Sequence, residues 1–180
     1  MAGLDDILKN LPIGDIAAKL GVDEGTALSA AREGSQTILG GLQKETQTQE
    51  GAAALESALA KHAGEKRVAS ADDIDEEDGK GILGHIFGGQ QDQVAQKLTA
   101  SEKTTGGIDF AKLLPLLAPI VMNVVANRKS EKQAEQDGGF DLGGLIGGLV
   151  GGGSSGGSTG GGIDLGAIGD VLGGFFGGRR

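Results

Sequence analysis

His62 and His85 are the only imidazoles in the chain, and they stand 23 residues apart. Two imidazoles support zinc binding or general acid–base chemistry when a fold brings them together with a carboxylate or a nucleophile. Neither neighbourhood shows ligand-like spacing. His62 closes the run ALESALAKH, and His85 lies inside ILGHIFG among Ile82, Leu83, Ile86 and Phe87, company that suggests packing at a helix–helix contact. Ser29, Ser35 and Ser57 lack the glycine-flanked elbow that presents a nucleophilic serine. The chain has no cysteine, which excludes thiol catalysis, disulfides and thiolate metal sites.

The stretch Asp72–Asp78 carries six acids in seven residues. Read as a calcium loop from Asp73, it would need glycine at the sixth position and a bidentate acid at the twelfth. Those positions hold Asp78 and Gly84, so a solvated acidic linker over about residues 65–80 is the better reading. No GK[ST] follows any glycine cluster, which removes a phosphate loop. These observations assign no catalytic residue, no cofactor and no metal, and the chain reads as non-enzymatic.

One motif points to nucleic acid. IAAKLGVDEGTALSAAREG, Ile16 to Gly34, has the layout of a helix-turn-helix, with Gly21 in the turn and Asp23 opening the second helix. A recognition helix needs side chains that read bases and bind phosphates, yet this one offers Asp23, Glu24 and Glu33 against the single Arg32. The net charge is −9, and the region after residue 137 contributes only −1 of it through Asp141, Asp164, Asp170, Arg179 and Arg180. A body at −8 lacks the counterion-release term that drives DNA affinity. The pair is expected to be a packing hairpin.

The elements that would position these groups are helical. Apolar residues at helical spacing predict short helices from Leu4, ended by Pro12, and from Ile13, ended by Gly21. A third starts at Asp23, is interrupted at Gly34 and loosens or ends at Gly40–Gly41. Others cover Gly51 to about His62, Gly81–Gly89, and Gln90 to about Leu98. The most apolar stretch is Ile108–Asn127, IDFAKLLPLLAPIVMNVVAN, in which only Asn123 is plainly polar between Leu113 and Ala126. It falls short of the roughly 20 apolar residues that span a bilayer and reads as the buried centre of a bundle. Asp109 is placed to cap it, Arg128 and Lys129 suit its end, and Pro115 and Pro119 should kink or break it. From Arg128 to Asp137 the chain is polar enough to fray. Runs of alternating β-branched residues are few, so the fold class is all-α, a compact bundle of short helices over residues 1–137.

Residues 138–180 form a Gly-rich, low-complexity tail: 20 of the 36 glycines fall between Gly138 and Gly178. GGFDLGGLIGGLVGGG and GGIDLGAIGDVLGGFF repeat an opening also present as GGIDFA at Gly106–Ala111, and Asp109, Asp141 and Asp164 can each cap a helix. Glycine pairs every four residues disfavour an isolated helix by roughly 1 kcal/mol per glycine. Such a helix needs a partner that profits from close backbone approach. Leu142, Leu145, Ile146, Leu149 and Val150 are therefore the expected self-association residues. Phe140–Val150 and Ile163–Phe176 offer a peripheral membrane alternative, against which stands their lack of a Lys/Arg-rich polar face.

GILGHIFGG, followed by LLPLLAPIVMNVV, resembles the YidB-like (DUF937) family of bacterial proteins. IAAKLGVDEGTALSA, ILGGLQ and ALESALAKH agree with it, so the resemblance runs from about Leu4 to Asn127. It implies an all-helical, cytoplasmic domain with a homeodomain-like N-terminal part and marks His85, Pro115 and Pro119 as motif positions. It implies no activity. The expectation is a non-enzymatic interaction or assembly protein that forms a homo-oligomer or binds a protein partner. A helix-turn-helix DNA binder and a peripheral membrane protein are its alternatives.

Overall fold

Pro12 and Gly21 punctuate the start of the chain as their backbone chemistry requires. Helix α1 (Leu4–Asn10) stops before Pro12, and α2 (Ile13–Leu20) stops at Gly21, whose φ of 68° is the left-handed value that glycine adopts without strain. The computed structural model describes residues 3–64, 68–101, 107–135 and 141–151, and among these the regular structure is helical throughout.

Helix α3 (Glu24–Glu45) is capped by Asp23, which accepts from the Thr26 N–H at 3.0 Å and from the Thr26 hydroxyl at 2.5 Å. These two donors, the hydroxyl first, hold the Asp23 carboxyl below its ordinary pKa. The interruptions expected at Gly34 and Gly40–Gly41 do not occur, and α3 runs unbroken to Glu45. Packing explains the difference. A Cβ at Gly34 would lie 2.6 Å from Leu117 Cδ1, and one at Gly41 would strike Ile86 and come within 3.1 Å of Phe87. The missing side chains are slots for neighbouring helices. Burying Leu117 and Phe87 there offsets a helix penalty of about 1 kcal/mol per glycine.

The acidic run is not a linker throughout. Asp15 of α2 accepts from Ser70 Oγ (2.9 Å) and from the Ala71 N–H (3.2 Å), fixing a single 3₁₀ turn at Ala71–Asp73. Asp75 then caps α5 (Glu76–Phe87), accepting from the N–H groups of Glu77 and Asp78 at 3.0 Å each. Glu76, Glu77 and Asp78 fill the first turn, where acids complement the helix dipole. Lys19 reaches Asp72 and Glu76 at 3.3 Å each, and the hydrogen bond to Asp72 is the main cause that raises its pKa.

Helix α7 (Phe110–Glu135) is the centre about which the others stand, with α3 and α5 making the most extensive contacts with it. Asp109 Oδ1 accepts from the Ala111 N–H at 3.1 Å, the cap expected from the sequence. Every residue from Leu113 to Met122 is buried. Of the kink or break expected at Pro115 and Pro119, the break is absent: both prolines lie inside one continuous helix. Each costs a backbone donor, but α7 is enclosed on all sides, and this tertiary packing outweighs local propensity. The fraying expected from Arg128 is also absent. Arg128 pairs with Asp6 of α1, and Lys129 reaches Glu56 of α4 (Gln49–His62) at 3.1 Å, so both cations tie α7 to its neighbours. By length and composition Phe110–Gln133 could cross a membrane, but 78% of its apolar window is buried, which marks a core helix.

The boundary expected after residue 137 does not separate tail from core as far as Gly151. Helix α8 (Leu142–Gly151) lies along the C-terminal half of α3: a Cβ at Gly143 would come within 3.1 Å of Thr46 Oγ1, and one at Gly147 within 3.2 Å of Gln43 Nε2. Its far end meets α1, where a Cβ at Gly3 would be 3.3 Å from the Leu149 carbonyl oxygen. Leu142, Leu145, Ile146, Leu149 and Val150 are buried in the same core as α3 and α7, not presented for self-association. The partner that the glycine pairs require is supplied by the chain itself. Phe140, the Ser154–Gly162 linker and Ile163–Phe176 lie outside the described residues.

One core group is poorly served. Ser35 is fully buried, and its hydroxyl has no hydrogen-bond partner among the described residues. Ser35→Ala removes a desolvated hydroxyl and improves helix propensity, so it should raise stability by about 1 kcal/mol. Urea denaturation with an unchanged or lower midpoint for this variant would refute that account.

Candidate functional site

The two histidines, distant in sequence, line one cleft. Helix α4 (Gln49–His62) is capped by Thr48, whose hydroxyl accepts from the Gly51 N–H at 3.0 Å. Along it Ala54, Ala58 and Lys61 recur at helical spacing; on α5, Asp78, Gly81, Ile82 and His85 recur likewise. These two stripes face each other across a cleft of about 390 Å³, with Met122 of α7 beneath and Leu42 and Glu45 from the end of α3 also lining it.

The chain directions follow from the contacts. His62 at the end of α4 meets Asp78 at the start of α5, with Nε2 3.5 Å from Asp78 Oδ2. At the other end Ile86 of α5 packs on Gly41 of α3, and Gly51 of α4 abuts Glu45. Helices α4 and α5 are therefore antiparallel. The His62–Asp78 pair stands at one end of the cleft and Glu45 at the other.

His62 is held from below as well. It is only 7% exposed, and its carbonyl, an orphan acceptor at the helix end, receives the Asn123 side-chain amide at 3.2 Å. Asn127 donates to Asn123 Oδ1 at 3.2 Å and accepts from the Gly64 N–H at 3.3 Å. The single polar residue of the apolar stretch is thus the anchor for the end of α4.

His85 does not pack at a helix–helix contact as expected. Its neighbours Leu83, Ile86 and Phe87 point into the core, which leaves the imidazole exposed at the cleft mouth. Pro115 meets Gly79, one turn from the cleft, where a Cβ would overlap the Pro115 carbonyl. Pro119 is buried in the core and does not line the cleft. Gly81 is the opposite of Gly79: a Cβ there would meet nothing within 4 Å, so its missing side chain widens the cleft.

Among the described residues no group of three or more His, Asp and Glu could hold a metal ion. What the cleft offers is an apolar trough of Leu42, Leu55, Ala58, Ile82, Ile86 and Met122 with hydrogen-bonding and charged groups along its rim. Sequence reasoning missed this site, although both stripes show in the spacing. Pairing them required the antiparallel placement of α4 and α5 on α7.

Cations elsewhere are each held against an acidic side chain: Lys19 on α2, Arg32 on α3, Lys80 on α5, and Lys112, Arg128 and Lys129 on α7. No curated protein and no solved structure matches the chain. The family model for a bacterial protein of unknown function (DUF937) matches residues 4–128, and the chain belongs to that family.

Proposed function

We propose that this is a non-enzymatic, cytoplasmic interaction protein, and that the α4–α5 cleft receives an apolar helical segment with a cationic end from a protein partner. The observation that carries this reading is the cleft itself, an apolar trough with Glu45 at one end, the His62–Asp78 pair at the other and Lys61 in its lining. Helix-in-groove recognition has this form: apolar anchors at i, i+3, i+4 and i+7 fill the trough, and polar groups at its ends meet the segment's charged side chains. The body's acidic balance favours a basic segment over an acidic one.

The alternatives are less well supported. A DNA-reading α3 would have to lie open, but α1, α2, α5, α7 and α8 pack on it, and its Arg32 is 3.9 Å from Asp5. A membrane-lying tail would have to expose its apolar residues, and those of α8 are buried.

The histidines supply the test, because the only two imidazoles of the chain both line the cleft. Titration of the full chain with a synthetic amphipathic Leu/Lys helix should move both imidazole proton NMR signals, with a Kd of roughly 10–100 μM. Binding without movement of either signal, or no binding at millimolar peptide, would contradict the reading.

A further inference from the structure

We infer that the partner of the α4–α5 cleft is a second copy of this chain, whose own α4 is the apolar helix with a cationic end that the cleft receives. The inference rests on the docking reading above and names the partner.

Helix α4 has two sides. Leu55, Leu59 and His62 are buried, whereas Ala53, Ser57, Ala60 and Lys61 are exposed. Ala54, Ser57 and Ala58 line the cleft ahead of Lys61, and Gly81 stands on the opposite wall with open space beside it. For two turns this face carries nothing longer than serine, so a second helix can come close to it.

The charges of the cleft are complementary to the same cleft turned by half a rotation. Asp78 is matched within the chain by His62. Glu45 and Lys61 are not matched in this way: among the described residues neither takes part in a salt bridge. They stand at opposite ends of α4. A Cβ at Gly51 would lie 3.0 Å from Glu45 Oε2, which puts that carboxylate beside the first turn. Lys61 is about 15 Å further along the helix. A two-fold axis midway between Ala54 and Ala58 sets two α4 helices antiparallel, with Ala54 against Ala58 of the partner subunit. The same axis brings Lys61 against the Gly51 end, beside Glu45 of the partner subunit, and symmetry forms this pair twice. Glu50, exposed one turn before Ala54, adds a second acid at that end. His85 borders the contact at the cleft mouth and reports on it.

The face of two helices, about 20 Å by 20 Å, covers roughly 400 Å² in each copy. That is the area of a transient contact, with a Kd of about 10–100 μM. The net charge of −9 on each copy opposes association at long range and also keeps the dimer weak.

The experiment measures the mass of the full chain by light scattering. It should be that of a monomer at about 1 μM and approach twice that value at about 1 mM, with the His85 proton signal moving in step. Lys61→Glu and Glu45→Lys each set like charges against one another and should raise the Kd about tenfold or more. Mixed in equal amounts, the two variants should associate about as tightly as the unsubstituted chain, because both ends of the mixed dimer again join opposite charges. A monomer mass at millimolar concentration would overturn the inference; if the Leu/Lys helix still moves the imidazole signals, the docking reading stands and only the partner falls. A dimer that the single reversals leave as tight, or a mixture no tighter than the single variants, would place the contact on another face and overturn the inference as well.

Discussion

Gly79→Ala is expected to destabilise the protein by about 3 kcal/mol or more, whereas Gly81→Ala, one residue pair along the same helix, should stabilise it by about 0.5–1 kcal/mol. The two glycines differ in what they face. A Cβ at Gly79 would overlap the Pro115 carbonyl and lie 2.8 Å from its carbon and 3.0 Å from its Cα. All three are backbone atoms of the central helix, which cannot swing aside as a side-chain tip can. The sequence of α7 explains why the approach is so close. Pro119 has no N–H, so the Pro115 carbonyl lacks its usual donor four residues on. Glycine at 79 leaves room for that carbonyl, where any Cβ would collide with it. At Gly81 nothing lies within 4 Å, so alanine brings only its better helix propensity. Thermal or urea unfolding of the two variants checks both signs. Equal effects would mean that α5 and α7 do not cross where the structure places them.

This pair also marks how far the sequence could be read. Local signals were legible because they depend on neighbours in the chain: the caps at Asp23 and Asp109, the stop at Gly21, the stripe of α6 (Gln91–Thr99) with Val94, Ala95 and Leu98 inward. Glycine and proline misled wherever a distant partner decided their effect. Gly34 and Gly41 read as interruptions but are slots for Leu117 and for Ile86 and Phe87; Pro115 and Pro119 read as a kink or break, and enclosure keeps α7 one unbroken helix. The acids of Asp72–Asp78 read as a linker because their role as cap and first turn of α5 shows only once the helix is seen to begin at Glu76. The apolar face of α8 was visible, but whether it met this chain or another was not. The cleft was the hardest to foresee, since His62 and His85 come to line one cleft only through the antiparallel packing of α4 and α5.

Leu117→Asp is expected to abolish folding. Leu117 is fully buried on α7 and fills the slot at Gly34 of α3. A carboxylate there would be desolvated without a cation to pair with. The cost of several kcal/mol, added to the lost packing, is comparable to a total stability of roughly 5–15 kcal/mol. Far-UV circular dichroism should show loss of helix at room temperature. A cooperative transition near the wild-type melting temperature would remove α7 from the centre of the bundle.

The central functional claim is that the α4–α5 cleft is a docking groove, and Gly81→Leu tests it most directly. Its open surroundings let leucine enter the cleft without displacing backbone, so the fold should be kept, with a melting temperature equal to or above that of the wild type. Calorimetric titration with the Leu/Lys helix should then show affinity reduced at least tenfold relative to the unsubstituted protein. Unchanged affinity in a folded Gly81→Leu protein would show that the peptide binds elsewhere and that the cleft is not the groove.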